Sequence, residues 1–243
     1  MSLLAELEAN FNKFTIRFEA ELIAVRASLA SERKLFLDSF TRVASLNAWR
    51  EHVLNHHISD ASLAFFLEAQ NDALTSHVFA RFGAWRSANQ VMRSCIENTL
   101  MCLYFKDHPI ELKLWHAGKF RIGFTALRSY LETHPDLSAH TAVNGLELIA
   151  QEYATLCKAV HGAATFRMTT TGGGTRLWSD EKPSAGKWAT SERQTIRAIN
   201  LLLLTMFREH LQGAKLPGVR AIVGHVMSKA QHGQVKQHLS IML

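Results

Sequence analysis

Residues 91–109 read VMRSCIENTLMCLYFKDHP, and this stretch decides the fold. Apolar residues surround most of it, which is typical of a central helix that neighbours cover on several sides. Arg93 and Glu97 are the exception, since they lie four residues apart and therefore share one face of the helix. Pro109 ends the helix, because the residue before a proline disfavours the helical conformation. The sequence thus predicts a buried helix over about 84–106 that carries two charges near its middle.

Helical periodicity continues on both sides of this segment. Apolar residues spaced by three and four over 4–29 predict a long amphipathic first helix, and the same spacing is compatible with a coiled-coil dimer. Residues 165–178 are different, because β-branched residues there flank three consecutive glycines, a pattern that predicts a β-hairpin. We therefore predict an all-α fold, a helical bundle of about eight helices with one β-hairpin insertion near residues 165–178. Further helices are predicted at about 31–49, 61–82, 109–115, 120–131, 143–164, 191–211 and 217–229.

Charge is unevenly distributed along the chain, whose formal net charge is +6 with a sequence pI near 9.4. No Asp or Glu occurs over 210–243, whereas four basic residues do. Such a segment favours contact with nucleic acid or another acidic surface, although a solvated basic helix accounts for it equally well. We predict three units: an N-terminal helical hairpin (1–58), a helical bundle with the hairpin insertion (59–212), and a basic C-terminal helix and tail (213–243).

Several function classes are disfavoured by the sequence. The longest apolar runs are too short to span a bilayer, and the first residues do not resemble a signal peptide. The three cysteines lie in apolar helical patterns, and Cys95 and Cys102, two turns apart on one helix, are expected to be core residues. The Gly172–Gly174 triplet lacks the lysine of a phosphate-binding loop, and no histidine cluster has clear metal-ligand spacing. We expect a cytoplasmic protein, and we predict no metal, no cofactor and no membrane contact.

Arg93, Glu97 and His161 form the candidate polar site. A buried charge requires a partner, so Arg93 and Glu97 could simply form an intrahelical ion pair. Alternatively, the Arg93 guanidinium could hold a phosphate or a carboxylate, with Glu97 orienting Arg93 or a nearby histidine. His161 lies near the end of another apolar helix, where it could be a core histidine or a group that transfers protons near neutral pH.

Basic and aromatic residues border the predicted hairpin. Interleaved residues of these types can neutralise single-stranded nucleic acid and stack on its bases. The aromatic residues could instead pack the hairpin against the bundle. The candidate nucleic-acid-binding residues are Lys158, Arg167, Arg176, Trp178 and Lys187.

The chain also resembles a known group of proteins. The Arg-Ser-x-x-Glu pattern of 93–97 runs on to Tyr104-Phe105-Lys106-Asp107-His108-Pro109 and is followed later by Val160-His161-Gly162. Over residues 60–212 this arrangement is similar to bacterial proteins of the HEPN-like superfamily. These proteins are small all-helical bundles found among toxins, phage-defence proteins and CRISPR-associated ribonucleases.

The resemblance implies an RNA-binding effector, expected to be a metal-independent endoribonuclease of a toxin–antitoxin or antiviral defence system. It also implies a homodimer, with an antitoxin or a defence-system protein as a further partner. Arg93 would bind phosphate, His161 would transfer the proton, and Glu97 would orient these two side chains. In catalytic members a histidine follows an arginine by four to six residues. Arg50 and His56 have such a spacing here but lie outside the resembling region. The alternative is a non-catalytic helical module that binds through the same pocket or through the long first helix.

Overall fold

The computed structural model describes residues 2–161, 177–212 and 216–243. A 3-10 turn at Ala30–Glu32 joins the first two helices, and a π-helical turn at Arg50–Leu54 joins the second to the third. The helices are α1 (Leu3–Leu29), α2 (Arg33–Trp49), α3 (Asn55–His57), α4 (Asp60–Arg81), α5 (Trp85–Asp107), α6 (Pro109–His116), α7 (Phe124–Thr133), α8 (Pro135–Ser138), α9 (Leu146–Val160), α10 (Lys182–Met206), α11 (Arg208–Leu211), α12 (Pro217–Val226) and α13 (Lys229–Leu239).

Helix α5 lies at the centre of the fold, as its apolar surroundings predict. It packs against α4, α9, α10 and α7, and Ile96 and Leu100 are fully buried. Cys95 and Cys102 are buried as well, and burial raises the pKa of both thiols. The prediction that these two cysteines are core residues is therefore confirmed.

Local signals set two of the helix boundaries. Ser59 is the N-cap of α4, where its side chain accepts a hydrogen bond from the backbone N–H of Ser62 (3.4 Å). Pro109 is the first residue of α6, a position at which its missing N–H and its fixed φ are tolerated. Both boundaries are confirmed.

The predicted β-hairpin near residues 165–178 is wrong. The described part of the chain contains no strand, and Leu177 and Trp178, the end of the predicted second arm, have irregular backbone. The next residue, Ser179, donates its backbone N–H to the carbonyl oxygen of Gly83 (3.0 Å), and the Trp178 ring packs against Phe18 (centroids 5.4 Å apart). These contacts outweigh the local β propensity, which is strongly context-dependent. Residues 165–176 lie outside the described residues.

Helix α10 begins earlier than predicted, at Lys182 rather than near Ser191. Pro183 lies in its first turn, where proline is compatible with a helix. Trp188, which the sequence places before the predicted helix, is buried and donates its ring N–H to Ser76 Oγ (3.1 Å). The polar segment before Ser191 is therefore part of helix α10, and Trp188 packs this part of the helix against α4.

The main hydrophobic core contains residues from all three predicted units, among them Trp49, Leu100 and Val223. Helix α2 packs against α4, α10 and α12, so its apolar face belongs to this core. The unit boundaries at 58/59 and 212/213 stay predictions. Among the described residues, no helix has the length and apolar character needed to cross a membrane.

Candidate functional site

Arg93, Glu97 and Tyr153 form a closed triangle of hydrogen bonds between α5 and α9. Arg93 Nη2 donates to Glu97 Oε1 (2.8 Å) and to the Tyr153 hydroxyl (2.6 Å), and that hydroxyl donates to Glu97 Oε1 (2.7 Å). The Arg93 guanidinium also lies 4.9 Å from the centre of the Tyr153 ring. About a quarter of the Arg93 and Glu97 side chains is exposed (26% and 27%). The three side chains therefore hold one another in place, while Arg93 and Glu97 remain partly accessible to solvent.

The electrostatics of the triangle keep Arg93 charged. Partial burial acts to lower the pKa of Arg93, but hydrogen bonds with Tyr153 and Cys157 and the charge of Glu97 raise it above its ordinary value. Burial and the hydrogen bond to Glu97 raise the pKa of Tyr153. The Tyr153 ring is stacked on Phe124 (centroids 3.6 Å apart), which fixes its orientation. The tyrosine is thus a neutral, rigid support for a permanent positive charge.

A polar stripe extends from this triangle towards the end of α9. Arg86, Gln90, Arg93 and Glu97 are spaced by four, three and four residues, so they share one face of α5. Arg86 Nε and Gln90 Nε2 donate to the carbonyl oxygen of Ala159 (3.0 and 3.4 Å). These bonds satisfy a carbonyl group at the helix end, and the positive charge of Arg86 is favourable at the carboxyl terminus of a helix. We call this region, from Arg86 to Glu97 on α5 together with Tyr153 to His161, the α5–α9 groove.

His161 lies at the carboxyl end of α9 and is exposed. Its backbone N–H donates to the carbonyl oxygen of Cys157 (3.0 Å). No hydrogen bond or ion pair joins its side chain to Arg93 or Glu97. His161 follows Tyr153 by eight residues, or about 12 Å along the helix axis. The groove therefore contains all three predicted site residues but brings only Arg93 and Glu97 into contact.

The candidate nucleic-acid-binding residues have different environments. Lys158 and Lys187 are exposed, on α9 and α10. Trp178 is half-buried against Phe18 of α1, so its ring contributes to packing that helix. Arg167 and Arg176 lie outside the described residues.

Tyr153 is the residue of the groove that sequence reasoning missed. It precedes His161 by eight residues on the same predicted helix, so helical spacing places the two on related faces.

Arg128 and His134 were missed too, although five residues separate them, the spacing considered for Arg50 and His56. They do not form a joint site.

Arg128 and His134 contact different carboxylates. Arg128 pairs with Glu132 and Glu147 (2.6 and 3.0 Å). His134 is buried, and its Nε2 lies 3.2 Å from Asp107 Oδ2. Each side chain is thus held by its own partner.

A second polar cluster lies inside the protein, between α2, α4 and α10. The Glu192 side chain has no exposed surface, and its Oε2 accepts a hydrogen bond from Arg42 Nε (2.7 Å) and forms an ion pair with Arg42 Nη2 (2.6 Å). Ser39 Oγ lies 3.4 Å from Glu192 Oε1 and 3.0 Å from His77 Nδ1. Burial lowers the pKa of His77, and the charges of Arg81 and Arg42 lower it further. The sequence reasoning singled out none of these four residues.

No family model, no curated protein and no solved structure matches this chain. In the described ranges, no three His, Cys, Asp or Glu side chains are arranged to hold a metal ion.

Proposed function

We propose that this protein is a HEPN-like effector that acts on RNA in the cytoplasm, as a metal-independent endoribonuclease of a toxin or phage-defence system. The observation that carries the proposal is the fixed, partly exposed guanidinium of Arg93, held by Glu97 and Tyr153 (2.8 and 2.6 Å). A cation held in place before the substrate arrives stabilises developing negative charge more effectively than a mobile one.

Each residue has a defined role in this proposal. Arg93 binds the phosphate and stabilises the charge of the phosphorane, while Glu97 and Tyr153 position Arg93. His161 takes the proton of the 2′-hydroxyl, whose oxygen attacks the phosphorus atom, and the same proton then passes to the 5′-oxygen that leaves as the P–O5′ bond breaks. The products are a 2′,3′-cyclic phosphate and a free 5′-hydroxyl. This task suits histidine because it exchanges protons near neutral pH. Lys158, three residues before His161 and also exposed, adds positive charge for the RNA backbone.

A homodimer is part of the proposal, because in the resembling proteins the catalytic groups usually come from two copies. Tyr153, which holds Arg93, and His161 are eight residues apart, about 12 Å along the axis of α9. No hydrogen bond or ion pair joins the His161 side chain to Arg93 within one copy, and a second copy could bring its histidine to the phosphate across an interface.

We expect the purified protein to cleave RNA in the presence of EDTA, and His161→Ala to lower the cleavage rate about 100-fold, the contribution typical of a proton-transfer group. The melting temperature should stay unchanged, because the replaced side chain is exposed. His225→Ala is the matched control, since His225 is also exposed but lies outside the groove, on α12. Cleavage is followed on a denaturing gel as a function of time.

Two results would contradict the ribonuclease proposal. One is total RNA that stays intact at every enzyme concentration, and the other is equal activity of the His161→Ala and His225→Ala variants. Tyr153→Phe separates positioning from folding, since it keeps the ring and removes the hydroxyl that holds Arg93. A normal melting temperature with reduced cleavage by this variant supports the assigned role.

A second candidate function, a non-catalytic interaction module, is favoured by the surface of α1. Leu4, Leu7, Phe11 and Phe14 are spaced by three and four residues and are more than half exposed. Large apolar side chains that repeat in this way on an exposed helix form a seam that a second helix can cover. We propose a second copy of this chain as the occupant, because the seam is self-complementary in an antiparallel or parallel pair.

We expect the protein to have twice its monomer mass of 27.3 kDa in solution, and the double variant Leu7→Glu/Phe11→Glu to be a monomer. Charged residues in the seam should prevent pairing, because they would be desolvated without partners. Ile16→Glu is the matched control, since Ile16 is 71% exposed on the same helix but lies off the seam. Light scattering after size-exclusion chromatography measures the mass. A monomeric wild-type protein, or a double variant that still dimerises, would rule out this interface.

A further inference from the structure

A cavity of about 400 Å³ lies where α1, α2 and α4 meet. Arg26 at the end of α1, Arg33 at the start of α2 and Arg81 at the end of α4 surround it. Phe36 and Phe40 form part of its apolar wall, with His77 beside them. We call this cavity the arginine pocket. It is built from elements other than α5 and α9, so it is distinct from the α5–α9 groove.

The three arginines of this pocket have no carboxylate partner among the described residues. Other arginines of the chain, such as Arg42 and Arg93, are each paired with a glutamate. Three such positive charges around one cavity repel one another, and no carboxylate in the described part of the chain lies within ion-pair distance of them to offset that repulsion. An anion in the cavity would be attracted by all three, and guanidinium groups suit the oxygens of a phosphate.

The apolar wall adds a second recognition element. Phe40 is 55% exposed, whereas Phe36 is buried. The His77 ring contacts both rings edge-on, at centroid distances of 6.0 Å from Phe36 and 6.1 Å from Phe40. An exposed aromatic face next to a cationic cluster is able to stack on a flat group that carries a phosphate.

His77 gives the pocket a fixed polar atom. Its Nδ1 is used in the contact with Ser39 Oγ (3.0 Å), while no hydrogen bond to Nε2 is present among the described residues. The ring is held by Ser39 and the two phenylalanines, so Nε2 is available to a ligand in a defined direction. Preorganised polar atoms of this kind reduce the entropy lost on binding.

We propose that the arginine pocket binds a small phosphorylated ligand with a flat aromatic group, the chemistry of a nucleoside monophosphate. The phosphate lies among Arg26, Arg33 and Arg81, and the base lies against Phe40. A volume of about 400 Å³ is in the range of pockets that hold one small ligand. This proposal does not depend on ribonuclease activity, because it concerns a separate site.

Titration calorimetry with adenosine monophosphate tests the proposal, with adenosine and inorganic phosphate as partial ligands. We expect the monophosphate to bind at least about tenfold more tightly than either part alone, a difference of about 1.4 kcal/mol. Arg33→Ala and Arg81→Ala should each weaken binding about tenfold or more, since each removes a charged hydrogen-bond donor. Both residues are exposed, so the variants should fold normally.

Arg121→Ala is the matched control, because Arg121 is exposed and lies outside the pocket. Its affinity for the monophosphate should equal that of the wild type. Three outcomes would overturn the proposal: no detectable binding of the monophosphate, equal losses in all three arginine variants, or inorganic phosphate binding as tightly as the monophosphate. The last outcome would mean that the pocket attracts anions without recognising an aromatic group.

Discussion

Replacing Arg42 by alanine is expected to lower the free energy of unfolding by about 3–5 kcal/mol at alkaline pH, the usual cost of breaking a buried ion pair from one side. Glu192 is the reason, since its side chain has no exposed surface and its Oε2 forms an ion pair with Arg42 Nη2 and accepts a hydrogen bond from Arg42 Nε. Without Arg42, the hydrogen bond left to the carboxylate among the described residues would be the one from Ser39 Oγ at 3.4 Å, and the positive charge of Arg193 would still act on it. A buried charge with so little compensation is strongly unfavourable.

The size of this loss should depend on pH. Burial raises the pKa of Glu192 from 4.5 to about 7, although Arg42 and Ser39 act in the opposite direction. Between these two values the folded protein holds a proton that the unfolded chain has released, so the free energy of unfolding falls as the pH rises. In Arg42→Ala the carboxyl group should stay protonated to a higher pH. The extra loss should therefore be small where Glu192 is neutral and should grow above about pH 7, by at most about 1.4 kcal/mol per pH unit.

Urea unfolding at several pH values, followed by tryptophan fluorescence, measures this effect. Glu192→Gln removes the titrating group, so its free energy of unfolding should lack the part of the slope that Glu192 causes. Lys34→Ala is the control on the same helix, because Lys34 is 88% exposed in its pair with Asp38 and should contribute less than about 0.5 kcal/mol. A loss in Arg42→Ala that is independent of pH would show that the charge of Glu192 is not its cause.

The fold could be predicted from the sequence where a single local signal decides an element. Pro109 and Ser59 set helix boundaries through their own backbone chemistry, and the apolar surroundings of Ile96 predict a central helix. The conformation at Trp178, the end of the predicted hairpin, could not be predicted, because the Trp178 ring packs against Phe18, a residue distant in sequence. Local propensity does not contain that information.

The candidate site, too, could be predicted only where a local signal in the sequence decides it. The pairing of Arg93 with Glu97 follows from their spacing on one helix, whereas the contact with Tyr153 depends on which face of α9 meets α5. Glu192 was missed for a related reason. It stands in the polar run Ser191-Glu192-Arg193-Gln194, which looks like an exposed helix face, and only its packing against α2 makes it a buried charge.

Gly145→Ala is expected to lower the free energy of unfolding by about 2–5 kcal/mol, the sum of a backbone cost of about 1–2 and a packing cost of about 1–3 kcal/mol. Gly145 precedes α9 with a φ of +74°, a conformation that side chains with a Cβ atom rarely adopt. A Cβ atom there would lie 2.5 Å from the carbonyl oxygen of Ala198 and 3.0 Å from Leu201 Cβ. Both neighbours belong to α10, and the nearer one is backbone, so the strain is relieved only if α9 moves.

Gly118→Ala separates the two costs, because Gly118 has nearly the same φ of +71° but no heavy atom within 4 Å of the added Cβ. The free energy of unfolding of Gly118→Ala should fall only by the backbone cost, about 1–2 kcal/mol. The difference between the two variants, measured by urea unfolding, therefore reports the contact between the start of α9 and α10. Equal losses would show that this contact is not tight.

Because α9 also carries Tyr153, a shift of the helix should loosen the hold on Arg93. Gly145→Ala should therefore weaken any activity of the groove, while Gly118→Ala leaves that activity intact.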